Sequence, residues 1–505
     1  MDFHGAQRER ILAALEEAGG VTEASVRKVS RDTGVPEAEV WGAGQFYGLL
    51  RQTEAVTLVC QGLTCKALGA DTLHTTLAAH GHHCELTSCL GLCDVAPAAI
   101  GPDRLPLGHA DAPCHLTPDD PQLPMNLSGP RDSTFGAFER AVAMGPDAVI
   151  AQLQASGLQG RGGAGFGAHI KWKGVRSQAV QERYVVCNAD EGEPGTFKDR
   201  EIIRLQPEKM VEGLGIAAHV VGARDIYIYL RGEFERERRI LLQCLEKATS
   251  GPMRDVRFHI VKGHGAYICG EETALLESLE GKRGMPRLKP PFPTQSGFRG
   301  KPTLVHNVET IACVPDIVLR GGDRFRALGR TEAGAKLYCI SGHVARPGVY
   351  ELPLGVTLDE LVAVAGGYVG TPLLFSPGGA SSGFLPMSES NRPLDFASLA
   401  AVGSMLGSSG VVVLNDSVDV AHAVLWQMQF FEEESCGQCA PCRIGTRWLH
   451  QAVQRYLSGG DPGALTDAAD VAWEMTEGSI CGLGQIAALP LTSAQKYFGD
   501  RFARR

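Results

Sequence analysis

The chain has 505 residues, 44% of them hydrophobic and 21% charged, with a formal net charge of −9. That length exceeds one core and calls for roughly three or four domains of ordinary globular composition. The acidic balance leaves no basic footprint for nucleic acid, and no apolar run reaches membrane-spanning length. The first ten residues hold no apolar leader segment, so the 15 cysteines point to a reduced, cytoplasmic compartment and to metal use rather than disulfides.

Residues 1–54 read as a helical region. Ile11, Leu12 and Leu15 sit at helical spacing, Thr22 is placed to cap a second helix, and Pro36 suits the first turn of a third that ends near Leu50. At Ala55 the pattern changes: residues 55–60 read as a strand and residues 69–80 as a helix, within a unit spanning 55–115. Cys60 and Cys65 form C-x4-C, and Cys89 and Cys93 form C-x3-C. Two pairs on two loops suit a [2Fe–2S] rhomb in which each pair grips one iron, and zinc competes on the same spacing. Cys84 lies close to these pairs, while His80, His82 and His83 read as a solvated loop. Seven prolines between Pro102 and Pro130, among polar residues, mark a linker at 116–134.

A large α/β region follows over residues 135–333, with strands at 183–188 and 225–230. Gly160, Arg161, Gly162, Gly163, Ala164 and Gly165 satisfy G-x-G-x-x-G. They follow a helix at 148–156, not a strand, so the Rossmann fingerprint does not apply. Clustered glycines still let backbone N–H groups approach a phosphate; an ordinary glycine-rich turn is the bland alternative. Asn188-Ala-Asp-Glu-Gly-Glu-Pro-Gly-Thr-Phe-Lys198 lies just past a strand, where ligands bind in open α/β sheets. Its amide and carboxylates suit ribityl hydroxyls and a flavin edge. Glu271 and Glu272 stand together at a helix start, where the dipole tolerates them. Lys289-Pro-Pro-Phe-Pro293 offers a cation and an aromatic on a stiff segment, suited to a phosphate and an adenine face. Each segment alone reads equally well as a surface loop; together they point to a dinucleotide and a flavin.

Residues 334–415 form a small mixed unit, with strands at 337–341 and 411–414 around a helix at 357–365. The tail, 416–505, is helical. It carries Cys436, Cys439 and Cys442 as C-x-x-C-x-x-C, and Cys481 in Ser479-Ile-Cys-Gly-Leu-Gly484. Three closely spaced thiolates and one remote fourth match [4Fe–4S] ligation; zinc more often takes two C-x-x-C pairs.

In order along the chain, these segments, with His306-Asn-Val-Glu-Thr310, resemble the NADH-oxidising flavoprotein subunit of respiratory complex I and its soluble relatives, from about residue 135 to the end. Residues 1–115 resemble the smaller [2Fe–2S] subunit of the same module, through Val35-Pro-Glu-Ala-Glu-Val-Trp-Gly-Ala-Gly-Gln-Phe-Tyr47 and the four cysteines. Two subunits thus read as fused in one chain. Ser376-Pro-Gly-Gly-Ala-Ser-Ser-Gly383, Pro393-Leu-Asp-Phe396 and Glu434-Ser-Cys-Gly-Gln-Cys-Ala-Pro-Cys442 are more similar to the β (diaphorase) subunit of NAD-dependent formate dehydrogenases. The alternatives are the diaphorase subunit of an NAD-reducing hydrogenase, a complex I-like NADH dehydrogenase and, without enzymatic activity, a zinc-bound scaffold.

The resemblance implies an α/β multidomain fold: an N-terminal helical part with a thioredoxin-like ferredoxin domain, an α/β FMN-binding domain, a ubiquitin-like SLBB domain and a helical Fe–S domain. It implies that the loop from Gly160 to Phe166, with Lys171, Asn188, Asp190, Glu191, Tyr267, Gly270, Glu271, Asn307 and Thr310, holds FMN. Glu193, Glu272 and Lys289 would contact NAD(H), with Phe166 and Phe292 stacking on its adenine. Hydride would pass directly to FMN, so no acid–base catalyst is assigned. The partner would be a molybdenum- or tungsten-containing formate dehydrogenase α subunit. The chain departs from the family at Phe166-Gly-Ala-His169, at Gly174 in place of a second stacking aromatic, at His306 in place of Asn, and in a short spacer from Cys65 to Cys89.

Overall fold

The computed structural model describes residues 5–51, 55–108, 114–459 and 462–502. The chain begins with short helices at Gly5–Arg8, Ile11–Glu17, Glu23–Thr33, Glu37–Gly44 and Gly48–Arg51. Thr22 forms a reciprocal capping box: Ser25 N–H donates to its hydroxyl at 3.1 Å, and its own N–H donates to the Ser25 hydroxyl at 2.8 Å. The helix expected from Pro36 to about Leu50 stops at Gly44. There the backbone turns outward, and the N–H groups of Gly48 and Leu49 donate to the carbonyls of Gly265 (3.1 Å) and His264 (3.0 Å) in the α/β unit. Tertiary partners thus replace the helical ones.

Strands β1 (Thr57–Cys60), β2 (Cys84–Thr87) and β3 (Ala99–Ile100) form a sheet of order β2-β1-β3, with β1 parallel to β2 and antiparallel to β3. The proline-rich stretch is no loose tether. Its β4 (His115–Leu116) extends a later sheet, and the Glu351 carboxylate accepts the N–H groups of Met125 (2.8 Å) and Asn126 (2.7 Å). Lys209 Nζ donates to the carbonyls of Pro124 and Met125, both at 2.7 Å. The segment is a strap fastened at both ends.

The α/β unit is built on β5 (Tyr184–Ala189), β6 (Asp225–Leu230), β7 (Arg257–Lys262) and β8 (Thr303–Asn307), in the order β7-β6-β5-β8 and parallel throughout. The central strand β5 reads Tyr-Val-Val-Cys-Asn-Ala, an unbroken apolar run until its end, because helices cover both faces of such a sheet. Asn188 and Asn307 stand opposite each other in register at the carboxyl ends of β5 and β8.

Next come β9 (Ala335–Gly342), β10 (Gly348–Pro353), β11 (Pro372–Ser376), β12 (Leu385–Pro386) and β13 (Gly410–Asn415), which with β4 make a sheet of order β12-β11-β13-β9-β10-β4. The helix Leu358–Val364 packs its Leu361 and Val362 into the core of this unit. The C-terminal helices Val420–Glu434, Ala440–Gly459, Ala468–Gly478, Gly482–Ile486 and Leu489–Phe502 complete the chain. Among the described residues no helix is long and apolar enough to cross a membrane.

Candidate functional site

A cavity of about 320 Å³ opens at the carboxyl ends of β5 and β8, where an open parallel sheet leaves its crevice. Of the residues singled out in the sequence, Gly162, Gly163, Ala164, Asn188, Asp190, Glu191, Glu193, Tyr267, Gly270, Glu271 and Asn307 line it. The glycine loop reaches the strand ends because it lacks side chains: a Cβ on Gly162 would stand 3.0 Å from the Asn307 Cβ. Arg161 and Thr310 lie behind the lining and pin the loop, with the Arg161 N–H donating to the Thr310 hydroxyl at 2.8 Å. The Arg161 guanidinium is buried and donates to the carbonyls of Ala333 and Ala335, both at 3.1 Å. Gly160 N–H donates to the Phe166 carbonyl at 2.8 Å and closes the loop; a Cβ on Gly165 would press on the Phe396 ring at 3.0 Å.

The polar groups of the cavity are held in place. Asn188 Nδ2 donates to the Gly270 carbonyl at 2.8 Å. Asn307 caps the helix Val308–Ala312, accepting Glu309 N–H at 3.0 Å and Lys198 Nζ at 3.1 Å while donating to Asp199 at 2.6 Å. The Glu191 carboxylate accepts the N–H groups of Asp199 (2.8 Å) and Arg200 (3.0 Å) at the start of the helix Lys198–Leu205. Burial, helped by Asp199, nevertheless pushes its carboxyl up. Burial likewise pushes Asp190 up to about 8, and one of its carboxylate oxygens has no partner. Glu193 is pushed up by burial against the hydrogen bonds it accepts from the Tyr267 hydroxyl and from Ser381 N–H (2.8 Å). Such orphaned and perturbed groups facing a cavity mark a ligand site.

A second set lies outside this lining. Lys171 pairs with Glu272 at 2.7 Å, and Lys289 with Glu271 at 2.7 Å and Glu272 at 3.3 Å. Glu271 also caps the helix Glu272–Leu279 through the N–H groups of Thr273 (2.8 Å) and Ala274 (2.9 Å). Phe166 and Phe292 are 48% and 51% exposed, unusual for bare phenyl rings. Gly174 faces Thr294. His306 serves packing: Trp172 Nε1 donates to its Nε2 at 2.9 Å, and burial with Lys171 nearby pushes its pKa down to about 3.

Cys442 has Cys436, Cys439 and Cys481 as neighbours where helices Ala440–Gly459, Ala468–Gly478 and Gly482–Ile486 come together. Cys442 and Cys481 are buried, Cys436 and Cys439 half-buried. Small residues permit the approach: a Cβ on Gly445 would strike Met475 Sδ at 2.3 Å, and one on Gly484 would lie 2.8 Å from the Cys442 Cβ. Burial and the neighbouring thiols push Cys442 up to about 12. Four thiols gathered at this spacing fit iron, whose charge stabilises thiolates. Directly after Cys481, Gly482, Leu483 and Ile486 line the flavin-sized cavity, so one short helix serves both sites.

The N-terminal Cys60, Cys65, Cys89 and Cys93 are all buried. Sulfur contacts run in a row, Cys65 to Cys60 to Cys89 to Cys93. Contact with Cys60 pushes Cys89 up to about 12. The two pairs thus stand side by side in one row. Cys84 is half-buried on β2, and His80, His82 and His83 are exposed.

Several lining residues escaped the sequence reading. Lys198 ends the Asn188 motif and Asp199 follows it, and Gly378 and Ser381 come from a segment noted only as a family marker. Met405, Gly407 and Ser408 precede β13 and reach the cavity through tertiary packing alone, without a sequence signal.

Known proteins share this arrangement. Residues 153–316 match the Nuo51 FMN-binding domain, residues 337–385 the SLBB domain, and residues 422–505 the NADH-ubiquinone oxidoreductase-F iron-sulfur binding region. The chain is 44% identical over 374 residues to the second F-type component of NADH-quinone oxidoreductase in Rhizobium meliloti, covering 71% of this chain and 88% of the relative. It is 43% identical over 377 residues to the F-type component of NADH-quinone oxidoreductase in Rickettsia typhi, covering 72% and 89%. A chain in the crystal structure of an NAD+-reducing [NiFe]-hydrogenase, air-oxidized, superposes with a TM-score of 0.89 at 33% identity, over 98% of this chain and 93% of that one. With the cavity, the thiol nest and these likenesses in agreement, the chain belongs to the complex I 51 kDa family of NADH-oxidising FMN flavoproteins, with the family's SLBB domain and [4Fe–4S] region.

Proposed function

We propose that this chain is the NAD(H)-reactive diaphorase subunit of a cytoplasmic NAD-dependent formate dehydrogenase, passing electrons from a molybdenum- or tungsten-containing partner to NAD+. The observation that carries the electron-transfer reading is the shared wall: Gly482, Leu483 and Ile486 follow the ligand Cys481 and line the cavity formed by the glycine loop and strand ends. Bound FMN supplies the exchange between a two-electron hydride and single electrons. The protein's part is placement.

In this reading Gly162, Gly163 and Ala164 give FMN its backbone cradle, with Gly160, Arg161, Gly165 and Thr310 keeping that loop in register. Asn188, Asp190, Glu191, Tyr267, Gly270, Glu271 and Asn307, with Lys198, hold the flavin by hydrogen bonds. Glu193, Glu272 and Lys289 contact NAD(H), Lys171, expected on FMN, is paired with Glu272 at the edge of the cavity, and the exposed Phe166 and Phe292 take the adenine. Cys436, Cys439, Cys442 and Cys481 bind the cubane; Cys60, Cys65, Cys89 and Cys93 bind a [2Fe–2S] cluster.

Formate as the electron source is supported by the likeness of residues 376–383, 393–396 and 434–442 to formate dehydrogenase β subunits; Gly378 and Ser381 of the first lie on the cavity. The hydrogenase alternative is favoured by the fold likeness over 98% of the chain. Anaerobic NADH should bleach flavin absorbance in the purified chain and give two reduced-cluster EPR signals. Zinc in place of iron and flavin sinks the reading. In the complex isolated with its partner, NAD+ reduction driven by formate and not by hydrogen selects the first source; the converse selects the second.

A further inference from the structure

The loop bearing Cys89 and Cys93 is gripped by three charged residues from outside its own unit, the buried Arg231 and Arg200 and the half-buried Glu434. Arg231, just past β6, donates to the carbonyl oxygens of both Cys89 and Glu191. Arg200 donates to the Gly91 carbonyl at 2.7 Å and to Asp94 at 2.8 Å. Glu434, close before Cys436, accepts the Ser88 hydroxyl with one oxygen and Tyr267 N–H, at 2.9 Å, with the other. Arg231 and Arg200 are 6% and 3% exposed. Glu191 closes the circuit, since it lines the flavin cavity and accepts Arg200 N–H at 3.0 Å. One guanidinium therefore spans from the cavity wall to a cysteine of the other cofactor site.

Holding a loop does not require buried charge, and burying charge is costly. Arg231 is balanced by Glu233 at 3.1 Å, and Arg200 by Asp94 and Glu201, each at 2.8 Å. What a guanidinium adds beside a ligand's carbonyl is positive charge and N–H dipoles. Both favour the more negative, reduced state of a cluster.

We infer that Arg231 is a positioning and tuning residue for the N-terminal cluster: it fixes the Cys89 carbonyl against the flavin-cavity wall and raises that cluster's reduction potential. The inference rests on the [2Fe–2S] reading above. The cluster would take one of the two electrons that NADH releases as hydride to FMN, the other passing to the cubane, with no bond changed at the cluster; the site becomes one unit more negative, which Arg231 offsets.

EPR-monitored redox titration of the full chain tests this. Arg231→Gln removes the cation and leaves Glu233 unbalanced, so the [2Fe–2S] reduction equilibrium should fall about tenfold, roughly 59 mV for one electron, with the cubane unmoved. Arg231→Lys keeps the charge and should recover most of the potential, while its altered hydrogen bonding shifts the EPR line shape. Glu233→Gln acts in the opposite direction and should raise the potential, which keeps the test open should Arg231→Gln fail to fold. A wild-type [2Fe–2S] signal whose potential none of these changes moves overturns the inference alone. A wild-type chain without that signal overturns both it and the reading it rests on.

Discussion

Asp190 and Glu309 are two enclosed carboxyls with opposite fates. Burial raises Asp190 to about 8, against the pull of Arg231. Burial would raise Glu309 too, but Lys336 Nζ at 2.5 Å and Lys198 Nζ at 3.0 Å bring it down to about 2. The signs of their linkage differ accordingly. The Asp190 carboxyl, folded pKa above unfolded, favours the folded state most at low pH, and that contribution is lost as pH rises toward 8. Asp190→Asn should therefore gain stability relative to the parent between pH 5 and pH 8, read from denaturant midpoints; a constant difference contradicts it. Glu309 stabilises above its unfolded pKa and loses this as pH falls toward 2. Glu309→Gln strands the buried Lys336, while Lys198 keeps Asp199 at 2.8 Å, and should cost about 3–5 kcal/mol, visible as a large drop in Tm. The Asn188 motif marked Asp190 as a candidate in the sequence, whereas Glu309 stood there only inside the His306–Thr310 segment. Arg231 gave no signal there, because its meaning lies in two carbonyls that only folding brings to it.

At the scale of elements, sequence pattern and structure agree where local chemistry governs. The apolar run of β5, the Thr22 box and the helix from Leu358, capped by Thr357, follow from period and capping alone. They part where tertiary bonds intervene. The helix Glu37–Gly44 ends early because Gly48 and Leu49 find partners on the α/β unit, and the proline-rich stretch is held by Glu351 and Lys209. The glycine loop depends on one close approach. In Gly162→Ala the new Cβ meets Asn307 at 3.0 Å, so the loop must retreat. That variant should fold with unchanged iron content yet retain less FMN per chain; full flavin content would show that the cradle tolerates a methyl group.

Across the whole molecule, the units share their core. Leu15 and Tyr47 of the first helices pack into one apolar cluster with Ile268, Leu275 and Leu279 beside the cavity and with Leu449 and Tyr456 of the tail. The buried ligands Cys442 and Cys481 belong to the same cluster. Calorimetry should accordingly show the N-terminal helices melting together with the α/β unit, and removal of iron should lower that shared transition. Separate melting of the first 54 residues, with the remainder unaffected by their deletion, would contradict a common core.

The sequence by itself determined the chemistry this protein carries: thiol spacings, a glycine loop and a polar strand end are local patterns, legible because their partners lie within a few residues. Only the tertiary structure decided where these meet. The register of β5 against β8 sets Asn188 opposite Asn307, the segment after Cys481 closes the flavin cavity, and Arg231 ties that cavity to Cys89. Such juxtapositions join residues far apart in the chain, and only packing of the shared core fixes which distant groups come within hydrogen-bonding reach.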